Sequence, residues 1–106
     1  MSKFVTTAAA ASLWIVAGAA AAQPADGRKL ARTQCAACHD VGAGKQAQGK
    51  EGPSFHDIAK MPSTTELSLK VFLRSSHRNM PNLMLTADEI DALAAYILEL
   101  GGKGRS

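Results

Sequence analysis

Cys35-Ala36-Ala37-Cys38-His39 constrains this chain more than any other stretch of it. Two thiols three positions apart stand on one helical turn. From there both can reach the vinyl groups along one edge of a porphyrin, and each adds across a vinyl to become a thioether. The imidazole that follows at once can turn beneath the macrocycle and bind its iron. This five-residue order is the attachment sequence of c-type haem. Two other chemistries use the same cysteines. A thioredoxin-like redox pair needs a βαβ context, whereas Arg28-Lys29-Leu30-Ala31-Arg32-Thr33-Gln34 reads as helix. A zinc site needs Cys35 and Cys38 with two of His39, His56 and His77. His56 and His77 are spaced too far apart for the usual short ligand pair. Haem attachment fits the context best.

The chain has 106 residues, enough for one small domain. A core of that size is modest, and small scaffolds need a staple. A flat apolar macrocycle held by two thioethers serves as one. The net charge is only +3, and aromatic residues make up 5% of the chain. There is no basic patch with interleaved aromatics, so nucleic acid is not an expected partner.

Residues 1–22 read as a secretory signal peptide. Lys3 supplies the positive start, Leu13-Trp14-Ile15-Val16 the centre of the apolar run, and Ala20-Ala21-Ala22 the small residues before cleavage at Gln23. An uncleaved anchor is the alternative, but the run is mostly alanine and carries Thr6, Thr7 and Ser12. The expected domain is therefore 23–106, exported to the periplasm and not inserted in the membrane after cleavage. Two cysteines in an oxidising compartment would otherwise pair, and so small a loop stabilises little.

Along the domain, Asp26 is a candidate N-cap for a first helix that runs into the cysteine motif. Gly27 belongs either to that cap or to a close helix approach. Asp40 to Glu51 is polar and glycine-rich, hence loop. Pro53 is either an ordinary turn or a carbonyl acceptor for the second ring nitrogen of a ligating histidine. Phe55, Ile58 and Ala59 suggest one or two helical turns, with His56 structural or solvated among them. Ser63 and Glu66 have capping-box spacing for a second clear helix that stops near Ser75 or Ser76. His77 to Asn82 is irregular, and Pro81 keeps Met80 in an extended strap. Thr86 and Glu89 form another capping box. From it, Ile90, Leu93, Ala94, Ile97 and Leu98 recur with helical period until Gly101-Gly102. No stretch alternates like a strand, so the expected fold is all-α.

The iron's far side needs a second ligand. Met80 is favoured because its strap lies far enough along the chain to return on the opposite face. Met84, His77 and Met61 are the alternatives, and core filling is the commoner fate of a methionine.

Cys35-Ala36-Ala37-Cys38-His39, Gly52-Pro53, Asn79-Met80-Pro81 and Ala94-Ala95-Tyr96-Ile97 occur in the order found in class I cytochrome c, which this chain resembles over 23–106. The resemblance implies a small cytochrome c fold of three to four helices wrapped around one covalent haem c. It implies thioethers from Cys35 and Cys38, axial ligation by His39 and Met80, and a Pro53 carbonyl that accepts from His39. It also sets Gly27 near Tyr96 where the terminal helices cross. Residues 23–106 hold no tryptophan, so Arg74, Arg78 and Lys45 are the candidates for the propionates. The implied work is one-electron transfer, without enzymatic turnover, between redox proteins that dock transiently at the haem edge. The alternatives are a haem subunit of a larger dehydrogenase or oxidase complex, or a ligand-binding or peroxidase-like module with a labile sixth ligand.

Overall fold

Why α4 (Ala87–Leu100) sits at the centre follows from its pattern of side chains. Ile90, Leu93, Ala94, Ile97 and Leu98 form one stripe, and all five are buried. Burying a large aliphatic side chain stabilises by about 1.5–3 kcal/mol, so this stripe dictates where the other helices lie. The computed structural model describes residues 2–15, 24–43, 50–75, 77 and 79–104. Its elements are α1 (Gly27–Leu30), a π-helical continuation (Ala31–Cys35), α2 (Phe55–Lys60), α3 (Glu66–Arg74) and α4. Among the described residues the only β-type pairing is a single bridge between His77 and Met80, so the fold is all-α as expected.

Each helix meets α4 through a short apolar row. α1 and its continuation present Gly27, Ala31 and Cys35, all small and all buried. α2 contributes Phe55 and Ala59, and α3 contributes Leu69 and Leu73. The small row is what lets α1 cross α4 at close range. A Cβ built on Gly27 would stand 2.1 Å from the Ala92 carbonyl oxygen and 2.9 Å from Tyr96 Cβ. Gly27 is therefore a crossing residue, with Asp26 separately capping the helix through Lys29 N–H at 3.2 Å.

The first helix does not keep its pitch into the cysteines. From Ala31 to Cys35 it widens to π geometry, which no residue preference announces. The start of α3 also differs from the capping box expected at Ser63 and Glu66. Thr65 is the N-cap: its hydroxyl accepts from Ser68 N–H at 3.1 Å, and Ser68 Oγ accepts from Thr65 N–H at 2.8 Å. Ser63 contributes only a carbonyl to Ser68 Oγ. A serine hydroxyl at the third helical position does the work usually given to glutamate. At α4 the expected box is present, with Thr86 and Glu89 bonded to each other's backbone N–H. α4 ends in a Schellman motif. Gly102 takes a φ of 69°, Lys103 N–H reaches Leu98 O and Gly102 N–H reaches Glu99 O.

Polar side chains lock the helices at their ends. Lys103 Nζ donates to Met61 O at 2.8 Å and Thr64 O at 3.0 Å, pinning the turn between α2 and α3. Lys70 joins α3 to α4 through Glu66 at 2.7 Å and Asp91 at 3.1 Å. Those two carboxylates push its ammonium above the ordinary lysine range, Glu66 contributing most. A raised lysine contributes stability at every pH below its unfolded value, and loses it only as pH climbs through the folded one.

No helix among the described residues is long and apolar enough to cross a membrane. Residues 2–15 are non-helical and exposed. The cleavage site expected before Gln23 lies outside the described residues, as do Lys45, Ser76 and Arg78.

Candidate haem site

The chain leaves Cys35 in a turn. Cys38 N–H and His39 N–H both donate to Cys35 O, at 3.2 and 2.9 Å. This turn puts Cys35 in the core and Cys38 in solvent, and no disulfide joins the two. Burial pushes the Cys35 thiol above its ordinary value.

A second segment runs parallel to the turn, fourteen residues on. Lys50 Nζ donates to Ala36 O. Gly52 N–H donates to Cys38 O at 2.7 Å. Pro53 O lies 2.7 Å from His39 Nδ1. One residue further, Phe55 N–H donates to Asp40 O at 2.9 Å. These four bonds tie 50–55 against 36–40 and close the intervening loop at its neck.

The Pro53 contact decides the histidine's tautomer. A carbonyl oxygen can only accept, so Nδ1 of the neutral ring carries the hydrogen. Nε2 then holds the lone pair, as a metal ligand requires. Of the two readings of Pro53, turn and acceptor, the geometry therefore gives the acceptor. The ring is further flanked by Phe55, with centroids 5.2 Å apart and planes 45° apart, and by Gly52.

Met80 lies on the strap after α3. Its N–H donates to His77 O at 3.0 Å, and the residue is half-buried. Met84 is 91% exposed and Met61 48% exposed. His77 is held elsewhere, its ring edge-on to Phe72 at 4.9 Å. His56 lies within α2, half-buried, with its ring 3.6 Å from Asp57. The described residues contain no group of three or more His, Cys, Asp and Glu side chains placed to share a metal ion, so the zinc arrangement is not assembled. Arg74 is exposed at the end of α3.

Three contributors escaped the sequence reading. Gly52 looked like part of a turn signal, yet it abuts the His39 ring. Lys50 looked only like part of the polar loop from Asp40 to Glu51, yet its ammonium donates to Ala36 O. Tyr96, expected only at the helix crossing, also donates its hydroxyl to Val41 O, fastening α4 to the loop that leaves the cysteine turn. Tyr96→Phe strips that half-buried carbonyl of its donor. It is expected to cost about 1 kcal/mol and lower Tm by roughly 4–8 °C, read by thermal unfolding.

A helical domain whose cysteine pair precedes an imidazole with a free Nε2 has the donor set of a c-type haem protein. The sequence pattern of a family described as cytochrome c oxidase, cbb3-type, subunit III matches residues 22–97. The chain is 37% identical to cytochrome c-552 of Bradyrhizobium diazoefficiens over 79 residues, which is 74% of this chain and 76% of that protein. No solved structure matches it. The chain belongs to the cytochrome c family, and is a small c-type cytochrome of electron transfer.

Proposed function

We propose that the protein is an exported, periplasmic one-electron carrier with a single haem c, joined to Cys35 and Cys38 and ligated by His39 and Met80. The observation that carries this reading is the 2.7 Å contact between His39 Nδ1 and Pro53 O, which leaves Nε2 available to iron. The haem, when bound, supplies an iron that cycles between ferric and ferrous. The chain's own residues do the rest. Cys35 and Cys38 would fix the edge of the ring, and Pro53 orients His39 and holds its tautomer. Met80 closes the opposite side and raises the potential relative to a second histidine. With His39 and Met80 both holding the iron, substrate chemistry there would be blocked. Redox proteins dock transiently at the exposed edge. Residues 1–22 act as the export signal.

The test is the absorption spectrum of protein exported from a host with haem-attachment machinery. A covalent low-spin haem is expected, with an iron–thioether band in the ferric form and no prompt carbon monoxide binding in the ferrous form. Colourless protein would sink the haem assignment. Rapid stoichiometric carbon monoxide binding would instead favour the ligand-binding module.

The family description favours a second reading, a haem subunit of an oxidase complex. Co-purification with larger redox proteins at native abundance separates it from a free carrier.

A further inference from the structure

We propose that Gly52 is a positioning residue for His39: the side chain it lacks sets how the imidazole lies against the iron. The proposal rests on ligation of iron by His39, and asks what fixes the ring once that ligation is granted.

A glycine can be required for two different reasons. One is a backbone with positive φ, which other residues adopt at a cost. That reason does not hold here. Among the described glycines only Gly102 has such a φ. The other reason is space. A Cβ built on Gly52 would stand 2.5 Å from His39 Cε1, 2.6 Å from Nδ1 and 2.9 Å from Nε2. Three ring atoms would lie closer than real Cβ contacts come. The collision would be with the ligand itself.

Neither side can yield cheaply. Gly52 N–H is bonded to Cys38 O at 2.7 Å, which holds its backbone against the turn. The ring is held at Nδ1 by Pro53 O and lies beside Phe55. Adding a methyl must turn the imidazole, stretch its bond to Pro53 or pry 52–53 away from the turn. Each of these alters the electronics of a ligand whose outer hydrogen bond tunes the metal. Gly42 provides the contrast. A Cβ there meets only Asp40 Oδ1, at 3.6 Å.

The experiment compares exported holoproteins carrying Gly52→Ala or Gly42→Ala with the wild type. It reads the ferric electron paramagnetic resonance spectrum, the reduction potential and the Met80-dependent charge-transfer band. Gly52→Ala is expected to move the resonance positions and the potential while the thioethers and the charge-transfer band persist. Gly42→Ala is expected to match wild type in all three. A Gly52→Ala protein with unchanged resonance and potential overturns the proposal. If Gly52→Ala fails to accumulate with haem, the double variant Gly52→Ala/Phe55→Leu gives the imidazole room to move. It is then expected to recover holoprotein, and no recovery overturns the proposal equally. Wild-type protein without haem would refute His39 ligation itself, a failure distinct from either of these.

Discussion

Met80→Ala is expected to abolish the iron–thioether charge-transfer band of the ferric protein and to lower its reduction potential by on the order of 100 mV or more. The ferrous variant is also expected to take up carbon monoxide that the parent refuses. The reasoning starts from the strap. Pro81 disfavours helical geometry at Met80, and the Met80 N–H is bonded to His77 O at 3.0 Å. The chain therefore delivers this side chain from a fixed point beyond α3. Met61 also precedes a proline and bonds its N–H to Ile58 O at 3.2 Å, but it is 48% exposed at the end of α2, and Met84 is 91% exposed. Met84→Ala and Met61→Ala should leave band and potential as they are. A band that survives Met80→Ala would assign the sixth ligand elsewhere.

Gly27→Leu is expected to destabilise the domain by about 3 kcal/mol or more, above the usual cost of overpacking. For a domain of this size that corresponds to a fall in Tm of roughly 12 °C or more. The reason is the kind of atom in the way. A Cβ at Gly27 meets the Ala92 carbonyl oxygen at 2.1 Å, and a helix backbone cannot rotate aside as a side chain can. α1 and α4 must separate, which uncovers Ala31 and Cys35 together with part of the α4 stripe. Covalent attachment at the cysteines is expected to persist, so the loss should appear in thermal unfolding and not in haem content. A variant melting within about 2 °C of wild type would mean that the helices do not cross this closely.

How much of this was legible in the residues varies by element. α4 was readable because its five buried side chains obey one period and its cap has the usual threonine and glutamate. α3 was readable as a helix but not at its start. Ser63 and Glu66 match the familiar spacing, while the cap actually used pairs Thr65 with Ser68, since a hydroxyl at that position reaches back as well as a carboxylate. Of its apolar side chains only Leu69 and Leu73 are buried, while Leu67, Val71 and Phe72 are exposed, because α4 receives a single row from so short a helix. The widening at 31–35 had no signal in composition. The cysteine pair and the imidazole after it stand out from spacing alone, and the resemblance to class I cytochrome c suggested the Pro53 carbonyl that lies 2.7 Å from His39 Nδ1. Gly52 was not legible as a steric requirement, because its neighbour in space is thirteen positions away in sequence and only the fold brings the imidazole over it. Lys103 was hidden in the same way. A lysine near a chain end reads as solvent-exposed until the carbonyls of Met61 and Thr64 are seen around it.

The parallel pairing of 50–55 with 36–40 has a bearing on how such chains can diverge. Because 36–40 and 50–55 are fastened to each other, the length of chain joining them can change without moving the carbonyl that grips the imidazole. Doubling the excursion costs only about 0.6 kcal/mol in closure entropy. Homologous chains can therefore differ in that length and keep the contact between His39 Nδ1 and Pro53 O.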